Sequence, residues 1–199
     1  MIYRMYLMLL VATALLAGVA FYLVQQGARP LPATQPPVTF TAPFSLTDMQ
    51  GQPVNETTFL GKPTLYFFGF TQCPDVCPTT LNTLAGWLNE IGPEQTARLN
   101  VVFVSVDPAR DTPEVLRGYV TAFHPQIVGV TGTEDELRQA AKVFMVYYAK
   151  VPLAEGSEDY TMSHSSMILM ADAQGHFAGT LDAHDPADAA LAKLRALLD

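Results

Sequence analysis

The most constraining feature of the chain is an apolar run that ends in a cysteine turn. Thr64, Leu65, Tyr66, Phe67, Phe68, Gly69 and Phe70 carry no charge and show no polar–apolar alternation. A short run of this kind reads as a strand buried on both faces. It leads into Gln72-Cys73-Pro74-Asp75-Val76-Cys77-Pro78, after which Leu81, Leu84, Leu88 and Ile91 recur at helical spacing over residues 79–91. A strand buried on both sides needs a layer packed on each face, which confines the chain to layered α/β folds. In such folds the loops that follow parallel strands are where ligands are held.

The other elements agree. Residues 44–49 and 52–54 predict a small hairpin around Gly51, and 100–106 a second buried strand rich in Val. Thr112 and Pro113 open a helix that runs to residue 123, with proline at a tolerated first-turn position. A short strand is expected over 127–130, then a helix over 133–144 with a capping box from Thr133 and Glu136. Residues 166–171 and 177–181 predict two strands joined by a turn at 172–175, and 186–198 a closing helix. This order implies a mixed sheet flanked by helices, with right-handed crossovers between its parallel strands. The chain has no internal repeat.

Residues 5–24 form a second apolar stretch, without a charged side chain and preceded by Arg4. Roughly 20 apolar residues suffice to span a hydrocarbon layer as a helix. A retained anchor with a cytoplasmic N-terminus is expected. A cleaved signal peptide, with Ala17, Gly18 and Ala20 as its small residues, is the competing reading, but the run exceeds the usual signal core. No cysteine follows it to carry a lipid, and it lacks the Arg- and Ser-rich character of a transit peptide, which favours a bacterial inner membrane. Pro30, Pro32, Pro36 and Pro37 then predict an extended tether. The expected organisation is an anchor over 1–26, a tether over 27–40 and one soluble domain over 41–199, on the periplasmic side. The net charge of −8 and the lack of any Lys/Arg run exclude the electrostatic footprint of nucleic-acid binding.

Cys73 and Cys77 are the only cysteines of the chain. One short loop closure stabilises a fold little, so the pair suits chemistry better than stapling. A cysteine near a helix N-terminus sees the positive end of the helix dipole, which favours thiolate. Three residues separate the two cysteines, so in a helical turn both sulfurs share one face. Converging thiolates suit a soft ion such as Cu(I), and a nitrogen ligand beside them would also suit Cu(II). Zinc could use the same atoms but usually takes four ligands. His164, just before the strand expected at 166–171, can complete a two-sulfur, one-nitrogen site. The same order of elements, with a two-cysteine turn after the first long strand, is what a thioredoxin-like fold requires. In that fold the segment holding His164 faces the cysteine turn.

The segment Gly69-Phe70-Thr71-Gln72-Cys73-Pro74-Asp75-Val76-Cys77-Pro78 resembles the signature of the Sco/SenC family. Ser105-Val106-Asp107-Pro108-Ala109-Arg110-Asp111-Thr112-Pro113 resembles its second motif, and His164-Ser165 its third. The resemblance covers roughly residues 41–199. It implies copper binding by Cys73, Cys77 and His164, and a role in maturing the dinuclear copper centre of cytochrome c oxidase subunit II. A copper donor and a thiol reductant are implied as further partners. Ser163 stands where many members have Asp, and Ala109 where an acidic residue is usual. The main reading is a metallochaperone whose Cys73–Cys77 pair is redox-active and can close to a disulfide. The alternative is a thiol–disulfide oxidoreductase with no obligatory metal. A peroxidase, with Arg110 as its peroxide-binding cation, ranks last. Asp107, Arg110 and Asp111 are candidates for docking a partner or orienting the site, against a plain helix cap. Met145 and Met162 are candidate soft ligands, with core packing preferred. His124, His176 and His184 read as surface residues, with His184 near Asp182 and Asp185 as a weak metal site.

Overall fold

The computed structural model describes Tyr3, Thr13 and residues 15–22 and 37–199. Most of the expected anchor and residues 27–36 of the expected tether lie outside the described residues. Residues 15–22 are helical and exposed. Among the described residues no helix is long and apolar enough to cross a membrane. Val38–Asp199 forms one compact unit.

Nine strands and five helices follow in order: β1 (Ser45–Asp48), β2 (Pro53–Asn55), β3 (Thr64–Gly69), α1 (Val76–Ile91), α2 (Pro93–Thr96), β4 (Asn100–Ser105), α3 (Pro113–Thr121), β5 (Ile127–Thr131), α4 (Glu134–Phe144), β6 (Tyr148–Pro152), β7 (Tyr160–His164), β8 (Ile168–Ala171), β9 (Phe177–Leu181) and α5 (Ala187–Leu198). Seven strands form one sheet in the order β2-β1-β5-β4-β3-β8-β9. β3, β4 and β5 are parallel, while β1 and β8 flank them antiparallel. This is the expected thioredoxin-like mixed sheet.

All six residues of β3 are buried, because the strand lies between β4 and β8 and both of its faces are covered. Alternation then sends its side chains to two different layers. Leu65 and Phe67 join Val101 and Phe103 of β4 against Leu84, Trp87 and Leu88 of α1 and Leu191 and Leu194 of α5. Tyr66 and Phe68 join Val102 and Val104 against Leu137 and Phe144 of α4. Burying each such side chain is worth about 1.5–3 kcal/mol, so the central strands are the part of the domain most firmly held.

Several local expectations hold. Thr133 caps α4 through a full capping box with Glu136, and Thr112 accepts from the Val115 amide at the start of α3. α1 begins at Val76, ahead of Pro78. A proline in the first turn lacks only an N–H that the helix leaves unused there. The last tether residues join the domain: Thr39 pairs with His176, and Phe40 is buried against Tyr66 and Phe144. β6 and β7 were not expected from the sequence. They pair with each other as a separate two-stranded ribbon, so His164, which precedes β8 as expected, also ends a strand of its own. Met145, between α4 and this ribbon, is in the left-handed region with φ 54°.

Candidate metal centre

β3 ends at Gly69, and the chain turns through Thr71 and Gln72 before α1 starts. Cys73 lies ahead of the helix, so the two cysteines do not owe their approach to helical spacing. The turn folds Cys73 back towards Phe70, whose carbonyl accepts from the Cys73 amide at 3.3 Å. The Cys77 amide then donates to Cys73 Sγ at 3.3 Å. The first sulfur thus serves as acceptor for one of the free amides at the helix N-terminus, a task that Asp75 does not perform with its side chain. Cys77 is fully buried and Cys73 half-buried, and both are free thiols.

His164 arrives on β7 from the other side. Its Nε2 lies 3.4 Å from Cys77 Sγ, and one donor atom from each of Cys73, Cys77 and His164 lies within 4.8 Å of the others. His164 Nδ1 is 2.9 Å from the Ser165 carbonyl oxygen. A carbonyl only accepts, so Nδ1 carries the proton and Nε2 keeps its lone pair towards the sulfurs. The rings of Phe70 and Phe67 stand edge-on to the imidazole at 5.8 and 6.2 Å.

Burial pushes the Cys77 thiol well above its ordinary range, with the Cys73 sulfur and the Asp111 carboxylate adding to the rise and a backbone hydrogen bond at Phe70 opposing it. The expectation that the helix N-terminus favours thiolate is therefore corrected for Cys77. Desolvation by burial is the largest cause of that rise. A cation held between the two sulfurs would supply the charge that a buried thiolate lacks, with the thiol proton lost to solvent.

Residues that the sequence reading left out also shape the site. A Cβ at Gly69 would lie 2.7 Å from Cys77 Sγ and 2.8 Å from Phe103 Cε2, so only glycine leaves room for the sulfur. Thr71 fixes the turn from behind: its amide and hydroxyl donate to Asp111 at 2.9 and 2.6 Å, and Ser105 Oγ donates to the same carboxylate at 2.6 Å. The signal for both lay in the motif itself, a small residue and a hydroxyl beside the cysteines.

The secondary candidates sort as follows. Asp111 is buried and braces the cysteine turn, and Asp107 is buried and pairs with Arg110. Neither caps α3, a task that falls to Thr112. Met162 packs against the core, and Met145 is exposed. His176 pairs with Asp172 and His184 with Asp182, while Asp185 pairs with Lys193. His124 Nδ1 accepts from the Gln126 amide at 3.1 Å. Among the described residues, Cys73, Cys77 and His164 form the one group of His, Cys, Asp or Glu with metal-ligating geometry.

Comparison with known proteins gives a consistent result. A family model described as SCO1/SenC matches residues 32–199. The mitochondrial protein SCO1 of Saccharomyces cerevisiae is 41% identical over 139 residues, which cover 70% of this chain and 47% of that protein. The chain spans about half the length of the curated yeast relatives it matches. Among solved structures, ScoI of Bradyrhizobium japonicum with copper bound superposes with a TM-score of 0.72 at 38% identity, covering 79% of this chain and 98% of that one. Yeast Sco1 with copper bound gives 0.72 at 37% identity, covering 81% and 88%.

Proposed function

The chain belongs to the SCO1/SenC family, and we propose that it is a membrane-anchored copper carrier whose cargo is held by Cys73, Cys77 and His164. The observation that carries this reading is the meeting of two sulfurs and one bare imidazole nitrogen within 4.8 Å. The donor set fits copper in both oxidation states. Two soft thiolates match Cu(I), and the borderline nitrogen extends the match to Cu(II). Three ligands leave a coordination position for an acceptor's ligand to attack before the donor's bonds break. The copper-bound relatives support the choice of metal.

The acceptor in this reading is the dinuclear copper centre of cytochrome c oxidase subunit II, loaded outside the cytoplasm of a bacterium. Residues 5–24 anchor the chain in the inner membrane, and residues 27–40 hold the domain near it. The support is the uncharged run with Arg4 before it and prolines after it.

A second reading draws on the unequal exposure of the cysteines. Cys73 is half-buried and open to a partner thiol, whereas Cys77 is enclosed behind it. This is the layout of a pair that reduces another disulfide and closes its own. Reduction of the acceptor's cysteines by Cys73 and Cys77 is compatible with carriage, because closing the disulfide removes both thiolates and releases the ion.

Titration of the reduced protein with copper, followed by absorption spectroscopy, separates the two. Carriage predicts thiolate-to-copper charge transfer that saturates at a single ion per chain. It also predicts no binding after oxidation to the disulfide, and His164→Ala weakening Cu(II) more than Cu(I). Undiminished disulfide exchange with no copper band would leave only the reductase.

A further inference from the structure

Among the described residues, β6 and β7 pair only with each other, so His164 rides on a ribbon that no strand of the main sheet holds. Alternation places Tyr160, Met162 and His164 on one face of β7. Met162 packs on the core, and His164 reaches Cys77. Tyr160 is the third point of attachment. Its hydroxyl donates to Asp107 Oδ1 at 2.8 Å, and its carbonyl accepts from Arg110 Nη1 at 3.0 Å. The Arg110 guanidinium lies over its ring, with Cζ 3.9 Å from the centroid.

The same guanidinium is ion-paired through Nε with Asp107, whose side chain is 3% exposed. It also donates through Nη1 to Gln72 Oε1 at 3.2 Å, one residue before Cys73. Asp107 is fixed in turn, its amide donating to Ser105 Oγ at 3.1 Å. One planar cation therefore touches the cysteine turn and the histidine ribbon at once. A buried carboxylate beside it sets its direction.

We infer that Arg110 is a positioning residue that clamps the histidine ribbon onto the cysteine turn and so sets how strongly the site prefers Cu(II). The inference rests on the copper reading above. Two thiolates satisfy Cu(I) without help, whereas Cu(II) calls on the nitrogen. Loosening the ribbon therefore affects one oxidation state and spares the other. Lysine cannot replace arginine here, because a point charge cannot stack on Tyr160 while bonding Asp107, Gln72 and the Tyr160 carbonyl together.

The test is a double-mutant cycle on the full chain. In Arg110→Ala, Cu(II) affinity falls about 10–100-fold, the usual effect of losing a group that orients a ligand, while Cu(I) affinity holds. Arg110→Lys fails to rescue it, and Tyr160→Phe shows a smaller loss of the same kind. In a His164→Ala background, adding Arg110→Ala changes nothing further. Hydrogen exchange of the copper-free protein gives an independent arm: β7 amides exchange faster in Arg110→Ala, and β3 amides do not. Equal loss of both ions, continued loss without His164, or unchanged β7 exchange would overturn the inference. If Arg110→Ala does not fold, the cycle of Tyr160→Phe with His164→Ala decides, and additive losses there overturn it. A wild-type protein that binds neither ion defeats the copper reading alone, and the exchange arm then judges the clamp by itself.

Discussion

The cysteine turn and the histidine ribbon contribute to one site but are built in different ways. The turn grows out of β3, whose six residues are all buried, and it is tied from behind by two hydrogen bonds from Thr71 to Asp111, whose carboxylate also accepts from Ser105 of β4. The ribbon is paired with itself, and neither of its strands has a fully buried residue. The sulfurs are thus held by the core of the domain, while the nitrogen is held by a few side-chain contacts. Such a division suits the proposed carrier, whose site would bind an ion and also give it up.

Three substitutions sharpen or break this contrast in stability. The largest effect is expected for Asp111→Ala, which strands the Thr71 amide, the Thr71 hydroxyl and the Ser105 hydroxyl without their acceptor. A loss of about 3–5 kcal/mol is expected by urea unfolding. A loss below about 1 kcal/mol would mean the turn is not braced from the core. Gly69→Ala comes next, because its added methyl must displace Cys77 Sγ or Phe103. Overpacking of this kind costs about 1–3 kcal/mol, and the shifted sulfur should alter the copper charge-transfer band. An unchanged band with full stability would show that the sulfur has room to spare. The smallest effect belongs to the ribbon. Lys150→Ala removes an ammonium that lies 3.6 Å from the Tyr160 ring centroid, at an expected cost of about 0.5–1 kcal/mol. If it destabilises the protein as much as Gly69→Ala does, the ribbon is no lightly held appendage and the contrast fails.

The same contrast explains what was legible in the sequence. The buried strands announced themselves through continuous apolar composition, and α4 through Thr133 and Glu136, because those elements are dictated by solvent exclusion and local capping. The ribbon did not. Tyr148–Pro152 contains Lys150 and a proline, and Tyr160–His164 buries its middle residue Met162 only in part. With no full apolar face, such strands leave little periodic trace, and their partner is each other rather than the core. The three candidate ligands were visible as residue types, and their meeting was expected from the fold. The route differed: Cys73 precedes α1 and receives the Cys77 amide, so a folded-back turn, not helical spacing, brings the sulfurs together. The thiolate expectation failed at Cys77 because motif reading registers the helix end but not the depth of burial. Arg110 was noticed as a charge near the site. That it bridges Gln72 and Tyr160 depends on two segments distant in sequence, which no local pattern records.

The enclosure of Cys77 behind a more open Cys73 also gives the site a handedness in time. In the proposed carrier an incoming donor atom would meet the cargo from the side of half-buried Cys73, since Cys77 is enclosed in the core cluster that contains Phe103. Ligand replacement is then ordered by geometry, and the innermost bond is the last to part. In the proposed carrier, release would then be a sequence of single exchanges rather than an escape, and the ion would not need to pass through water on its way to an acceptor.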